Sequence, residues 1–253
     1  MDDQIAALAD AVADAERVVA FTGAGVSTAS GIPDFRSEGG IWEDHDSGVF
    51  NVASFERDPA GFWEQTLELY DDAFPPDPEP NAAHEALATL ESAGHLEAVL
   101  TQNADRLHQD AGSEEVIELH GNMRRTVCQS CKAREPFADA RARAVNASPP
   151  PECLDCGGTL KPDTVLFGEQ LPEYALFRSH SLSEKADVFL VVGSSLLVEP
   201  AASLPETAAD NGATLAIVNF DETPHDDIAE YTLRRDVTEV LPALAEAAVE
   251  RPG

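Results

Sequence analysis

Four cysteines form two closely spaced pairs in the middle of the chain, Cys128-Gln-Ser-Cys131 and Cys153-Leu-Asp-Cys156. Two CxxC pairs separated by twenty-one residues can place four thiolates tetrahedrally around Zn(II), and the glycines after the second pair permit the tight turn that this needs. Four cysteine ligands leave no open coordination position, so we expect one structural ion. Disulfides and thioredoxin-like redox catalysis are the alternatives; a reducing compartment disfavours the first, and the second lacks a thioredoxin context.

Three further strings carry residues that could bind a ligand or move a proton. The glycine-rich string GAGVSTASGIPDFR runs from Gly23 to Arg36 after the apolar run RVVAFT, with Thr28 at the third glycine position of an ordinary dinucleotide fingerprint. The string TQNAD follows the apolar run LEAVL, where open α/β sheets place their ligand-binding loops. His120 ends the run VIEL, and an imidazole with a pKa near 6.5 can accept a proton at neutral pH.

These strings and the four cysteines, in this order, resemble the sirtuin family of NAD-consuming protein-lysine deacylases over about residues 5 to 245. The resemblance implies that Gly23, Ala24 and Gly25 let the backbone approach the NAD pyrophosphate at a helix N-terminus. Arg36 would add charge there, and Phe35 would shield the reactive ribose face from water.

The resemblance also places Gln102, Asn103 and Asp105 around the nicotinamide carboxamide, with Ala104 where the family usually has isoleucine. Further cofactor contacts are implied for residues that lie along the glycine-rich loop and after later strands: Thr28, Asp34, Trp42, Gly193, Ser194, Ser195, Asn219, Asp221 and Val237.

The catalytic histidine of the family lies just ahead of the zinc insert, as His120 does here. By resemblance, the acyl oxygen of a modified lysine attacks the anomeric carbon of the nicotinamide ribose as nicotinamide leaves. His120 then activates a ribose hydroxyl that attacks the resulting imidate, and hydrolysis releases lysine and an acylated ADP-ribose. Asn103 is assigned to the catalytic set with His120.

The string KPDTVLFGE resembles the substrate-binding segment of the family, where a strand edge pairs with the substrate backbone. The expected contacts are Val165, Leu166, Phe167, Gly168 and Glu169. Sirtuins that prefer succinyl or malonyl groups carry a tyrosine and an arginine three residues apart, and the aligned positions here are Thr66 and Leu69. Without a counter-ion for an acidic acyl group, we predict deacetylation over desuccinylation.

Two other functions remain compatible with these motifs. Mono-ADP-ribosyl transfer needs the same NAD site and differs in its product. A non-catalytic NAD-binding sensor or zinc-containing interaction module is the second, although it would not need His120, Asn103 and Asp105 together.

The elements that position these residues alternate along the chain. Helical patterns are expected at residues 2–16, from Asp58-Pro59 to about Phe74, from Asn81 to Gly94, and at 172–185, 200–210 and 236–249. The runs RVVAFT, LEAVLT, DTVLF, ADVFLVVG and ATLAIVN are typical of buried strands.

This alternation predicts an α/β fold: a Rossmann-like parallel sheet with helices on both faces, plus a small inserted zinc-ribbon module with four cysteine ligands. We assign residues 1–121 and 163–253 to an NAD-binding domain, with the cofactor loop and a helical insert at about 33–80. Residues 122–162 form the structural zinc module in this prediction.

The charge balance is extreme, with 47 acidic against 16 basic residues and a formal net charge of -31. The acidic residues are interleaved with periodic apolar ones, which favours a folded acidic shell adapted to high salt over disorder. The same charge makes direct nucleic-acid binding an unfavoured role.

The acidic start of the chain and the lack of a long apolar run predict a cytoplasmic protein with no membrane segment. Acetylated protein lysines are the expected partners.

Overall fold

The computed structural model describes residues 3–35, 39–147 and 149–251. Its strands are β1 (Val18–Thr22), β2 (Ala98–Thr101), β3 (Val116–Glu118), β4 (Gly121–Cys128), β5 (Arg134–Pro136), β6 (Leu160–Thr164), β7 (Val188–Val192), β8 (Thr214–Val218) and β9 (Tyr231–Leu233). Its α-helices are α1 (Asp3–Asp14), α2 (Ile41–Asp44), α3 (Val52–Arg57), α4 (Pro59–Ala73), α5 (Ala82–Ser92), α6 (Leu107–Asp110), α7 (Phe137–Asn146), α8 (Glu173–Ser183), α9 (Leu204–Asp210) and α10 (Val237–Val249).

A six-stranded parallel sheet forms the larger lobe, in the order β3-β2-β1-β7-β8-β9. Its central strands are buried along their whole length, as expected for apolar runs covered on both faces. Helices α1, α5 and α10 pack on one face, whereas α8 and α9 pack on the other. The expected Rossmann-like sheet with helices on both faces is therefore confirmed.

Local capping explains where several helices begin. The Asp58 side chain accepts a hydrogen bond from the Gly61 N–H at 3.0 Å and Pro59 occupies the first turn, so α4 starts where the sequence predicts. The Asn81 side chain caps α5 in the same way, and Gly94 ends that segment with a left-handed φ of 82°.

A smaller lobe is built on a three-stranded antiparallel sheet in the order β5-β4-β6. The expectation that DTVLF is a strand of the parallel sheet is wrong: β6 ends at Thr164 and pairs with β4. An apolar run indicates a buried strand but carries no information on which sheet will accept it. The small sheet spans residues 121 to 164.

The helical insert shares one core with this small sheet. The buried Trp63 of α4 stacks on Phe137 of α7, with ring centroids 5.7 Å apart, and its indole N–H donates to the Leu160 carbonyl at 2.8 Å. Phe55, Phe62 and two zinc-pattern cysteines belong to the same cluster. The insert and the zinc module therefore form one packed unit.

Among the helices of the described ranges, none has the length and apolar character needed to cross a bilayer.

Candidate active site

The expected site residues follow strands that end level with one another. The parallel register pairs Thr22 with both Thr101 and Val192, Thr101 with Glu118, and Val192 with Val218. The loops after β1, β2, β3, β7 and β8 consequently emerge at one edge of the sheet. This edge brings the glycine loop, the TQNAD string, His120 and the 193–195 turn together, as the sequence analysis predicts.

Gly23 and Gly25 of the cofactor loop pack so closely against the turn after β7 that a side chain would not fit at either position. A Cβ atom on Gly23 would lie 2.8 Å from the Gly193 carbonyl oxygen, and one on Gly25 would lie 2.9 Å from that atom. The Gly25 N–H donates to this carbonyl at 2.9 Å. Gly193 itself has a φ of 59°, and a Cβ there would be 2.4 Å from the Val26 nitrogen. The three glycines thus allow two loops to lie in direct backbone contact.

Asn103 and Asp105 are joined to the glycine loop through Ser27. The Asn103 amide donates to the Gly23 carbonyl at 3.1 Å and to the Ser27 hydroxyl at 3.0 Å. The Ser27 hydroxyl donates to Asp105 Oδ2 at 2.7 Å, and the Leu107 N–H donates to Asp105 Oδ1 at 2.8 Å. Burial raises the pKa of the Asp105 carboxyl, and these hydrogen bonds oppose that shift.

His120 has one ring nitrogen whose protonation is set by its partner. Nδ1 lies 3.0 Å from the Gln102 carbonyl oxygen, which can only accept, so Nδ1 carries the proton and Nε2 is left with a lone pair. Burial lowers the pKa of His120 from 6.5, although the bond to Gln102 opposes the shift. The imidazole is therefore neutral at pH 7 and able to accept a proton at Nε2. The Gln102 side chain in turn accepts from the Ser194 hydroxyl at 2.9 Å.

An aromatic cluster connects the cofactor loop with the expected substrate segment. Trp42 lies 5.4 Å from Phe35, 5.7 Å from Phe50 and 6.2 Å from Phe167, measured between ring centroids. The Phe167 N–H donates to the Phe50 carbonyl at 3.1 Å. Phe35 is 37% exposed, which leaves its ring able to cover a bound sugar.

The substrate segment divides into two parts. Val165, Gly168 and Glu169 line a cavity of about 460 Å³ that also includes Gly121, the neighbour of His120. Leu166 was expected to contact substrate, but its side chain is buried in the core of the small lobe. A residue pointing into the core from an edge segment cannot also face the cavity.

The remaining predicted cofactor residues have the following places in the fold. The Thr28 hydroxyl donates to the Gly25 carbonyl at 3.1 Å, and the Asp34 carbonyl accepts from the Ile41 N–H at 2.8 Å. Asn219 follows β8 and donates to the Asp221 carbonyl at 3.0 Å, while Ser195 is exposed. Val237 is the first residue of α10 and its side chain is buried in the core, so a nucleotide could reach only its backbone. Arg36 lies outside the described residues.

The four cysteines form one cluster whose sulfur atoms all lie within 4.8 Å of one another. Cys128 and Cys156 are 3.5 Å apart at sulfur, and Cys131 and Cys153 are 3.7 Å apart. Tetrahedral zinc with Zn–S bonds of about 2.3 Å requires sulfur separations of about 3.8 Å, so the set fits this ion. A hydrogen bond from the Cys131 N–H lowers the pKa of the Cys128 thiol to about 6, whereas hydrogen bonding to the neighbouring cysteine sulfurs raises the pKa of Cys131 to about 12. The cluster therefore releases its first proton most readily from Cys128, and zinc must displace the others.

Three residues near the site were missed by the sequence analysis: Ser27, His84 and His108. Ser27 lies within the quoted glycine-rich string, which could have pointed to it. The sequence motifs assign no role to His84 and His108, yet both are fully buried behind the loops. Only the folded chain brings them to Ser27 and Thr22.

Comparison with known proteins agrees with this geometry. The model of the Sir2 family matches residues 23–200. An NAD-dependent protein deacetylase of Haloarcula marismortui is 53% identical over 241 residues, covering 95% of this chain and 93% of the relative. NAD-dependent protein deacetylase 1 of Pyrobaculum aerophilum is 46% identical over 244 residues, covering 96% and 94%.

The solved structures agree as well. A Sir2 variant with a deacetylated p53 peptide and 3'-O-acetyl ADP-ribose superposes with a TM-score of 0.89 at 40% identity, covering 96% of this chain and 98% of that one. The Haloarcula relative also supports the expected halophilic origin. On the extent of these matches and the shared site architecture, the chain belongs to the Sir2 family.

Proposed function

We propose that this chain deacetylates protein lysines at the expense of NAD, with His120 as the general base. NAD-dependent protein deacetylation is the activity named for the relatives above. The observation that carries the residue assignment is the bond from His120 Nδ1 to the Gln102 carbonyl, which leaves Nε2 as the only ring nitrogen that can take a proton.

NAD, when bound, supplies a sugar carbon from which nicotinamide can leave. The acetyl oxygen of the substrate lysine would take the place of nicotinamide on that carbon, which activates the acetyl carbon. His120 Nε2 then removes a proton from a ribose hydroxyl, whose oxygen attacks the acetyl carbon, and water completes the release of lysine. Because burial lowers the pKa of His120, the base is in its reactive neutral form at physiological pH. The carbonyl of Gln102 stabilises the protonated ring that forms, since it accepts from Nδ1 throughout.

Asn103 and Asp105 orient the nicotinamide end of NAD in this proposal. The Asn103 amide N–H groups are committed to Gly23 and Ser27, so its side-chain oxygen remains as an acceptor for a carboxamide. Asp105 is held by hydrogen bonds from Ser27 and the Leu107 amide, which fix the direction of its carboxylate. The NAD pyrophosphate is placed at the glycine loop by resemblance to the family, and the tight contact between this loop and the 193–194 turn fixes the loop backbone.

The acetylated lysine enters beside Gly121. The cavity lined by Val165, Gly168 and Glu169 also includes Gly121, the residue that follows His120. It lies next to His120 in the fold, because the Val165 N–H donates to the His120 carbonyl at 2.9 Å. The aromatic cluster of Phe35, Trp42 and Phe167 provides apolar surface between this cavity and the cofactor loop, which keeps water from the sugar carbon.

The zinc site has a structural role in this proposal. Cys128, Cys131, Cys153 and Cys156 would hold one Zn(II) with all four positions filled by protein ligands. Thiolate ligands and an NAD substrate both fit a reducing cytoplasm, where we place the protein. We do not assign it a nucleic-acid partner, because a net charge of -31 repels phosphates.

Mass spectrometry of an acetylated peptide incubated with and without NAD tests this function. We expect NAD-dependent loss of the acetyl group together with acetyl-ADP-ribose, and slower reaction of the matched succinylated peptide, since no arginine or lysine occurs between Asp58 and Gln102 to pair with its acid. ADP-ribosylated peptide would instead indicate mono-ADP-ribosyl transfer. Faster desuccinylation than deacetylation would contradict the acyl preference.

A further inference from the structure

Two buried histidines lie behind the candidate site and have no part in the mechanism above. His84 is 0% exposed and His108 is 1% exposed. Their rings meet edge to face, with centroids 4.8 Å apart and planes inclined by 62°. His84 is on α5 and His108 on α6, so neither belongs to a loop at the edge of the sheet.

The proton positions on His84 are set by its neighbours. The backbone N–H of Asn81 lies 3.2 Å from His84 Nδ1 and can only donate, so Nδ1 is an acceptor. The proton is therefore on Nε2, which lies 3.4 Å from the Ser27 hydroxyl oxygen and donates to it. Burial lowers the pKa of His84 to about 4, which keeps this neutral tautomer at physiological pH.

This donor determines the direction of the hydrogen bonds at the nicotinamide pocket. The Ser27 oxygen accepts from His84 and from the Asn103 amide, so its own proton is directed to Asp105 Oδ2 at 2.7 Å. A serine hydroxyl has a single proton. If Ser27 donated that proton to a different acceptor, Asp105 would lose this hydrogen bond. The segment that carries His84 also contacts the cofactor loop directly, because the Asn81 side chain donates to the Val26 carbonyl at 2.8 Å.

His108 connects to the same pocket through a second hydrogen-bond network. Its Nε2 lies 2.9 Å from the Thr22 hydroxyl, which donates to the Thr101 hydroxyl at 2.8 Å. The Thr101 oxygen in turn accepts from the Asn103 backbone N–H at 3.0 Å. Asn103 is thus held through its side chain by the Ser27 network and through its backbone by the Thr101 network.

We propose that His84 is a positioning residue for the nicotinamide pocket: it donates to Ser27 and thereby orients Asn103 and Asp105 toward NAD. The proposal rests on the proposed function for the identity of the ligand. The competing role is purely structural, because the Nδ1 contact with Asn81 also caps α5. The two roles differ in what happens to NAD when the donor is lost and the helix is only slightly weakened.

The first experiment compares His84→Gln with His84→Met. Glutamine at this third helical position can accept from the Asn81 N–H and can offer an amide proton to Ser27, whereas methionine fills the space without either bond. Ala86→Gly is the control, since it weakens the same helix without contacting Ser27. The measurements are the thermal midpoint, kcat, the KM for NAD, and NAD binding by calorimetry.

We expect His84→Met to lower kcat/KM for NAD by about 10- to 100-fold, and His84→Gln to stay within about threefold of the parent. Ala86→Gly is expected to lower the thermal midpoint and leave kcat/KM unchanged. Equal losses in the glutamine and methionine variants would overturn the proposal, as would an equal loss in Ala86→Gly at the same midpoint.

A double-mutant cycle with Ser27→Ala tests the route of the effect. If His84 acts through Ser27, His84→Met is expected to change kcat/KM by less than about threefold in the Ser27→Ala background. A full, additive loss in that background would overturn the route through Ser27. The parent's products are measured alongside: a parent that binds NAD but yields no acetyl-ADP-ribose would count against the proposed function, while NAD binding by the variants would still decide the role of His84.

Discussion

The cofactor edge of the parallel sheet and the zinc module hold their functional side chains in different ways. At the edge, hydrogen bonds connect residues far apart in sequence: Asn103 reaches Gly23 across 80 residues and Ser194 reaches Gln102 across 92. In the zinc module, all four ligands lie between Cys128 and Cys156. Positioning at the edge therefore depends on contacts between distant segments. The four zinc ligands come from one short stretch of chain, although the core beside them includes Trp63 of α4.

The two regions are nevertheless mechanically connected. Strand β6 leads from the zinc module into the substrate segment, where the Val165 N–H binds the His120 carbonyl. The Lys161 ammonium at the start of this connection is buried and pairs with Glu169 at 2.9 Å. We therefore expect a disturbance of the zinc module to affect the proposed substrate segment more directly than the cofactor loop.

Removal of zinc is expected to have the largest effect. Loss of a structural ion forfeits binding energy on the order of 10 kcal/mol, so the small lobe should unfold and deacetylation should be lost. Circular dichroism, tryptophan fluorescence of buried Trp63 and turnover are followed during chelation, with zinc re-addition as the control. Cys131→Ser is expected to behave like the chelated protein. Full turnover in protein shown to be metal-free would contradict the structural assignment.

Gly193→Ala tests the other region. The added Cβ would lie 2.4 Å from the Val26 nitrogen, so the cofactor loop must move, and we expect kcat/KM for NAD to fall by about 100-fold. Gly212→Ala is the matched control, because Gly212 has a φ of 95° and no atom of the described residues within 4 Å of the new Cβ. Each variant should lose about 1–3 kcal/mol of stability from the left-handed backbone. Equal kinetics in the two variants would show that the loop contact is unimportant for NAD.

The smallest predicted effect is a loss of folding stability at acid pH, caused by the buried histidines behind the cofactor edge of the sheet. Burial lowers the pKa of His84 to about 4 and of His108 to about 3 from 6.5, so the unfolded chain binds more protons below pH 6.5. The free energy of unfolding is therefore expected to fall as pH drops from 6.5 toward 4, by at most about 1.4 kcal/mol per pH unit for each histidine. Asp105, whose pKa is raised, acts in the opposite sense.

Urea unfolding at fixed KCl between pH 7.5 and 5 measures this dependence. His84→Gln removes one of three histidines whose pKa is lowered by burial, so the slope should decrease by the share of His84, at most about 1.4 kcal/mol per pH unit. An unchanged slope in that variant would mean that His84 does not stay neutral in the folded protein.

Much of the fold could be predicted because its signals are local. Asp58-Pro59 and Asn81 mark helix starts through their own side chains, and the cysteine spacing alone specifies a zinc cluster that the folded chain brings together. These features need only a few neighbouring residues. His120 is identified differently, by a family resemblance that rests on the order of motifs along the chain.

The features that could not be predicted depend on distant partners. Only the first two residues of the DTVLF run belong to the small sheet, where they pair with β4. Leu166 turns into a core supplied by α3, α4 and α7. The contact between His84 and Ser27 spans 57 residues, and that between His108 and Thr22 spans 86. No spacing rule in a single sequence indicates such contacts.

The most direct test of the account is the turnover and NAD affinity of His120→Ala, with His180→Ala on α8 as the matched histidine control. With the base removed and the NAD loops intact, turnover is expected to fall by about 10²- to 10⁴-fold while the Kd for NAD stays within about threefold of the parent. Unchanged turnover in His120→Ala would contradict the assignment of Nε2 as the proton acceptor.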